Sequence, residues 1–86
     1  MKLLYQNNEK VMEGVWGLED CKNEYEKEGF QNYLAGISYS VYEDSCGNIV
    51  KVHNGGHGYW KWQVLWGNNL IGEHNTKAAC LNQIKG

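Results

Sequence analysis

The clearest pattern in the chain runs from Tyr59 to Ile84. Trp60, Trp62, Val64 and Trp66 alternate with Tyr59, Lys61, Gln63 and Leu65. A period of two predicts a strand over 59–66 whose even-numbered face is core and whose odd-numbered face is more polar. Gly67-Asn68-Asn69 supplies residues that tolerate positive φ, so the chain is expected to reverse there into another strand. Asn75 or Thr76 is placed to cap a helix in which Cys80, Leu81 and Ile84 form a short apolar stripe.

The rest of the chain divides at its turn residues. Residues 2–6 read as a strand, Asn7-Asn8-Glu9 as a turn and 10–16 as a second strand. A helix is predicted over 18–28, with Leu18, Cys21 and Tyr25 on one face and Glu19 and Asp20 at its positive amino end. Gly29 fits the residue after that helix, and Phe30 would pack back on its last turn. A strand over 36–43 with Ile37, Tyr39 and Val41 on one face, a turn at 45–48 and a strand over 49–53 follow. Asn54-Gly55-Gly56-His57-Gly58 reads as a hairpin turn. No linker, charge block or low-complexity stretch interrupts residues 1–86, so a single compact domain is expected. The predicted class is α+β: an antiparallel sheet of five to six strands with two short helices packed on it. The ends echo each other, Leu4-Tyr5-Gln6-Asn7-Asn8 with Leu65-Trp66-Gly67-Asn68-Asn69 and Cys21-Lys22-Asn23 with Cys80-Leu81-Asn82, which raises the expectation of two ββα pseudo-repeats.

Residues 58–72, Gly-Tyr-Trp-Lys-Trp-Gln-Val-Leu-Trp-Gly-Asn-Asn-Leu-Ile-Gly, with Thr76-Lys77-Ala78-Ala79-Cys80 and the closing Ile84, resemble the YegP-like family of small bacterial repeat domains. The resemblance covers the last third of the chain and implies a ββα unit, often in tandem. It brings no catalytic residues with it. The turn at 67–69 is displaced from the family's Asn-Gly position, and residues 30–57 are a long insertion relative to it. The same stretch also looks like the sheet and helix of AP2-type DNA-binding domains. Those domains read the major groove with Arg, and this chain has none, so bidentate guanine recognition is out of reach.

The charge balance, 8 Lys+Arg against 10 Asp+Glu, counts against a dedicated duplex binder, because phosphate neutralisation supplies most non-specific affinity. The amino terminus turns polar too soon for a signal peptide, and no apolar run approaches membrane-spanning length. Cys21, Cys46 and Cys80 are odd in number and widely spaced, which points to reduced thiols in a cytoplasmic protein rather than a disulfide framework. Cys46, His53 and His57 lie close in sequence, but Gly55-Gly56 forbids the helix that would place His53 and His57 on one side, so no metal is expected. Cys21 and Cys80 fall on apolar helix positions, where a packed thiol is inert, and nothing marks a base for Cys46. Neither an enzyme nor a cofactor is expected.

Surface recognition is what remains. The aromatic content exceeds what a small core commonly needs, and Tyr and Trp are favoured at protein-binding hot spots. The expected function is a non-enzymatic binding module for another protein. Its concrete form is a small phage or mobile-element inhibitor of a bacterial host or defence complex, with the acidic first helix imitating nucleic-acid charge or pairing with a basic groove. The expected contact residues are Tyr42, Tyr59, Lys61, His57, Glu24 and Glu28. Two alternatives stand beside it: a nucleic-acid binder that stacks single-stranded bases on an aromatic sheet face, and a homo-oligomer, a homodimer for example, that binds a small ligand between subunits.

Overall fold

A computed structural model describes residues 1–56 and 59–85, with side chains described outside 55–60 and 85. Five strands, β1 (Lys2–Gln6), β2 (Tyr39–Glu43), β3 (Ile49–Gly56), β4 (Tyr59–Trp66) and β5 (Asn69–His74), form one sheet in the order β1-β2-β3-β4-β5. Every neighbouring pair is antiparallel. Helix α1 (Glu24–Leu34) lies between β1 and β2 in the chain, and α2 (Lys77–Lys85) closes it. The fold is α+β.

The ladder fixes which side chains share a face. Val52 pairs with Ser40 and with Val64, and Val64 with Gly72, so even-numbered residues of β2, β3 and β4 lie on one side. That side meets α2. Tyr42, Val50, Val52, Val64 and Cys80 form its buried cluster, with Trp62, Leu81 and Ile84 packed around them. Lys77 Nζ also donates to Ser40 Oγ at 3.1 Å. The opposite, odd-numbered side of β1 and β2 meets α1. There Tyr39 and Val41 are buried, and Tyr5, paired with Val41, lies directly beneath Gly29. The two helices therefore pack on opposite faces, α1 over β1–β2 and α2 over β3–β5.

Several expectations change. Residues 10–16 are not a strand: 10–14 are turns and 15–16 have no regular structure. Met12 N–H donates to Asn8 O, Val11 N–H to Asn8 Oδ1 and Val15 N–H to Met12 O, and Gly14 has φ +82°, all of which curl the chain. The amino-terminal copy of the supposed repeat thus lacks its second strand. The first helix starts at Glu24 and not at 18, because Asn23 Oδ1 accepts the Glu26 N–H at 3.0 Å as its N-cap. Residues 18–20 form only a 3₁₀ turn, so Leu18 and Cys21 lie outside the helix. Gly29 is a buried interior residue of α1 and not its end, and Phe30 is likewise internal. The helix ends at Leu34 and is closed by Gly36, φ +75°, with Gly36 N–H bonded to Tyr33 O and Ile37 N–H to Asn32 O, a Schellman arrangement whose glycine lies seven residues beyond the expected one. Thr76 is the cap of α2, its Oγ1 accepting the Ala79 N–H at 3.2 Å.

The edge strands are both irregular. In β5 the pairing with β4 passes from Gly72 to Leu70, leaving Ile71 as the extra residue. Its carbonyl accepts a bond from Gln83 Nε2 at 3.0 Å, so α2 satisfies a group the bulge takes out of the ladder. In β1 the shift falls between Leu3 and Tyr5. Bulges of this kind make an edge a poor template for further strand pairing.

Candidate functional site

Because α1 covers only the β1–β2 side of the odd-numbered face, the same face of β4 and β5 is left without a helix. Gln63 pairs with Glu73 and Leu65 with Leu70, so these four residues share that face with Lys61. Lys61, Glu73 and Leu70 are exposed, Leu70 at 52%, and Leu65 and Gln63 are half-buried. Gln63 Nε2 donates to Glu73 Oε1 at 3.1 Å, which ties the polar margin of the patch across the two strands. The arrangement is an apolar pair, Leu65 and Leu70, inside a rim of Lys61, Gln63 and Glu73.

Toward the middle of the sheet the patch meets the flank of α1. Lys51 Nζ, from β3, donates to both carboxylate oxygens of Glu28 at 3.0 and 2.9 Å, and Tyr39 Oη donates to Glu28 Oε2 at 2.6 Å. Burial alone would raise the Glu28 carboxyl, but the bonds from Tyr39 and Lys51 outweigh it and leave the group below its ordinary value. The Tyr39 hydroxyl is pushed well above the ordinary tyrosine range, first by burial and then by its bond to the Glu28 carboxylate. This trio fastens α1 to the sheet. Glu24 is one helical turn before Glu28, so the two lie on the same flank; it is exposed and pairs with Lys27 at 3.4 Å.

The expected contact residues separate accordingly. Lys61 and Glu24 are exposed. Glu28 borders the patch but is engaged in holding α1. Tyr42 is a correction: at 8% exposure it belongs to the even-numbered core, because its partner in the ladder is Val50 and α2 lies over both. His57, and the side chain of Tyr59, lie outside the described residues. The even face of β4 is only partly core, since Val64 is buried and Trp62 packs against the cluster while Trp66 stays 51% exposed. Leu65 and Leu70 went unforeseen as a pair, because the bulge at Ile71 decides that they face each other. Alternation by itself would put Ile71 beside Leu65.

Elsewhere, the thiols differ in exposure and Asp44 has a structural role. Cys80 is fully buried, and burial raises its thiol above the ordinary range, away from the thiolate that chemistry needs. Cys46 sits exposed in a turn that Asp44 organises, Asp44 Oδ1 accepting the N–H of Cys46 at 2.8 Å and of Asn48 at 2.9 Å. Among the described residues no group of three or more His, Cys, Asp or Glu could hold a metal ion, and no helix is long and apolar enough to cross a membrane. The chain matches no protein-family model, no curated protein and no solved structure.

Proposed function

We infer that this chain is a non-enzymatic binding module that docks another protein on the helix-free, odd-numbered face of β4 and β5. The observation behind this reading is the pairing of half-buried Leu65 with exposed Leu70 inside a rim of Lys61, Gln63 and Glu73. An apolar centre inside a polar margin is how protein interfaces are commonly built. Beside the patch, Lys51 is bound to Glu28 and Lys61 stands at the rim, too little charge for a phosphate backbone to dominate affinity there. The β4–β5–α2 order also agrees with the ββα unit of the YegP-like family, and we extend that kinship to the last third of the chain only. The narrower reading, an inhibitor of a bacterial host or defence complex, rests on the acidic flank of α1.

Affinity capture from a host-cell lysate, with the wild-type chain and with a Lys61→Glu/Leu70→Asp variant as baits, tests the reading. A protein retained by the wild type and lost from the variant is expected. Equal retention by both baits, or tight binding of single-stranded oligonucleotides at low salt, would overturn it.

A further inference from the structure

The 8–20 loop carries a second feature, separate from the sheet face. Trp16 is 89% exposed, more than any other large apolar residue among those described, and Leu18 and Val11 in the same loop are exposed as well. An indole in water forgoes the largest apolar burial any side chain can contribute, so its position calls for an explanation. The loop is not loose. Trp16 N–H and Gly17 N–H both donate to Asp20 Oδ2, at 2.9 and 3.2 Å. The 3₁₀ turn is closed by Asp20 N–H to Gly17 O and Cys21 N–H to Leu18 O, each 3.1 Å. Met12, buried, anchors the loop to the body, and Asn8 Oδ1 holds the Val11 N–H at 2.9 Å. A side chain presented on a backbone already in place loses little further freedom on binding.

The charge around it selects the partner. Seven of the 10 acidic residues lie between Glu9 and Glu28, against three of the 8 basic ones, so this stretch sums to −4 and the remainder of the chain to +2, within a total of −2. In the loop, Glu9, Glu13, Glu19 and Asp20 are exposed with only Lys10 to offset them. Such a surface repels nucleic acid and anionic lipid and attracts a surface rich in Lys and Arg. We propose that the 8–20 loop is an independent docking point, with Trp16 as the anchor that enters an apolar socket on a basic protein surface.

Selection of short random peptides displayed on phage, using the wild-type chain as target and the Trp16→Ala chain as counter-target, tests this directly. The enriched peptides should carry net positive charge with at least one aromatic or aliphatic residue. A synthetic representative should bind the Trp16→Ala chain roughly tenfold or more weakly, as expected of a hot-spot residue. Its affinity should fall with added salt and stay unchanged in Leu70→Asp, which leaves this site intact whatever the sheet face does. Trp16→Ala should unfold thermally where the wild type does, so lost binding reports the anchor. Neutral or acidic peptides, equal binding by both chains, or failure to enrich any pool would overturn the proposal. A Trp16-dependent blue shift on phosphatidylcholine vesicles would replace it with membrane contact, and Trp16-dependent dimers in sedimentation with self-association.

Discussion

Asn7 uses one side-chain amide to hold backbone groups of α1, of β2 and of the segment between them. Its Nδ2 donates to Gly29 O at 2.9 Å and to Ile37 O at 3.0 Å, and its Oδ1 accepts the Tyr39 N–H at 2.8 Å. Asn7 is itself buried, so truncation would strand these partners away from water. Asn7→Ala is expected to cost about 3 kcal/mol, read as a lower urea midpoint with an unchanged slope. Beside it, a Cβ at Gly29 would run into the Tyr5 ring, which makes this interior helix glycine a packing requirement. The Tyr5 hydroxyl is buried without a hydrogen-bond partner, and burial above all pushes its pKa up to about 12. Tyr5→Phe should therefore stabilise the chain by about 1 kcal/mol in the same denaturation experiment, since a stranded hydroxyl is costly to bury. Neither the asparagine nor the glycine announces its role in the sequence. Asn7 reads as a turn residue and Gly29 as a helix stop, and both gain their meaning from Tyr5, Ile37 and Tyr39 arriving from elsewhere.

At the scale of elements, α1 is the instructive case. Its true boundaries follow ordinary rules: Asn23 with Glu26 three residues on, and Ala35-Gly36-Ile37 at the far end. Those signals compete with an earlier pair, the acidic residues at 19–20 and Gly29. The later pair prevails because Asp20 turns back to the N–H groups of Trp16 and Gly17, and because Gly29 is consumed under Tyr5. The attachment of α1 depends on pH. Glu28 titrates below its ordinary value in the folded chain, so its contribution is present above the ordinary carboxylate pKa, about 4.3, and is lost as pH falls through the folded value. Tyr39 and Tyr5 are raised, so ionising either one opposes folding, and stability falls as pH climbs from the unfolded tyrosine value, about 10, through the higher folded values. Stability followed by chemical denaturation should therefore fall at both extremes. Glu28→Gln should flatten the acid limb, and Tyr39→Phe should reduce the alkaline one.

For the whole molecule, what counts is that each helix covers part of one sheet face and the two parts are on opposite sides. The consequence is testable at neighbouring ladder positions. Val64→Asp places a carboxylate in the fully buried even-numbered cluster and should cost more than about 4 kcal/mol, enough to unfold the chain in a thermal melt. Leu70→Asp, on the bare odd-numbered face, should change stability by no more than about 0.5 kcal/mol in the same melt. Much of this was legible beforehand. Alternation in 59–66, the glycine-asparagine turn, a helix cap at Asn75 or Thr76 and the α+β class all rest on interactions between residues close in sequence, and those depend on spacing alone. The choice of face for each helix, the burial of Tyr42, the exposure of Trp66 and the pairing of Leu65 with Leu70 across a bulge came only with the tertiary structure. Each of these turns on where distant segments meet, and local periodicity holds no information about that distance.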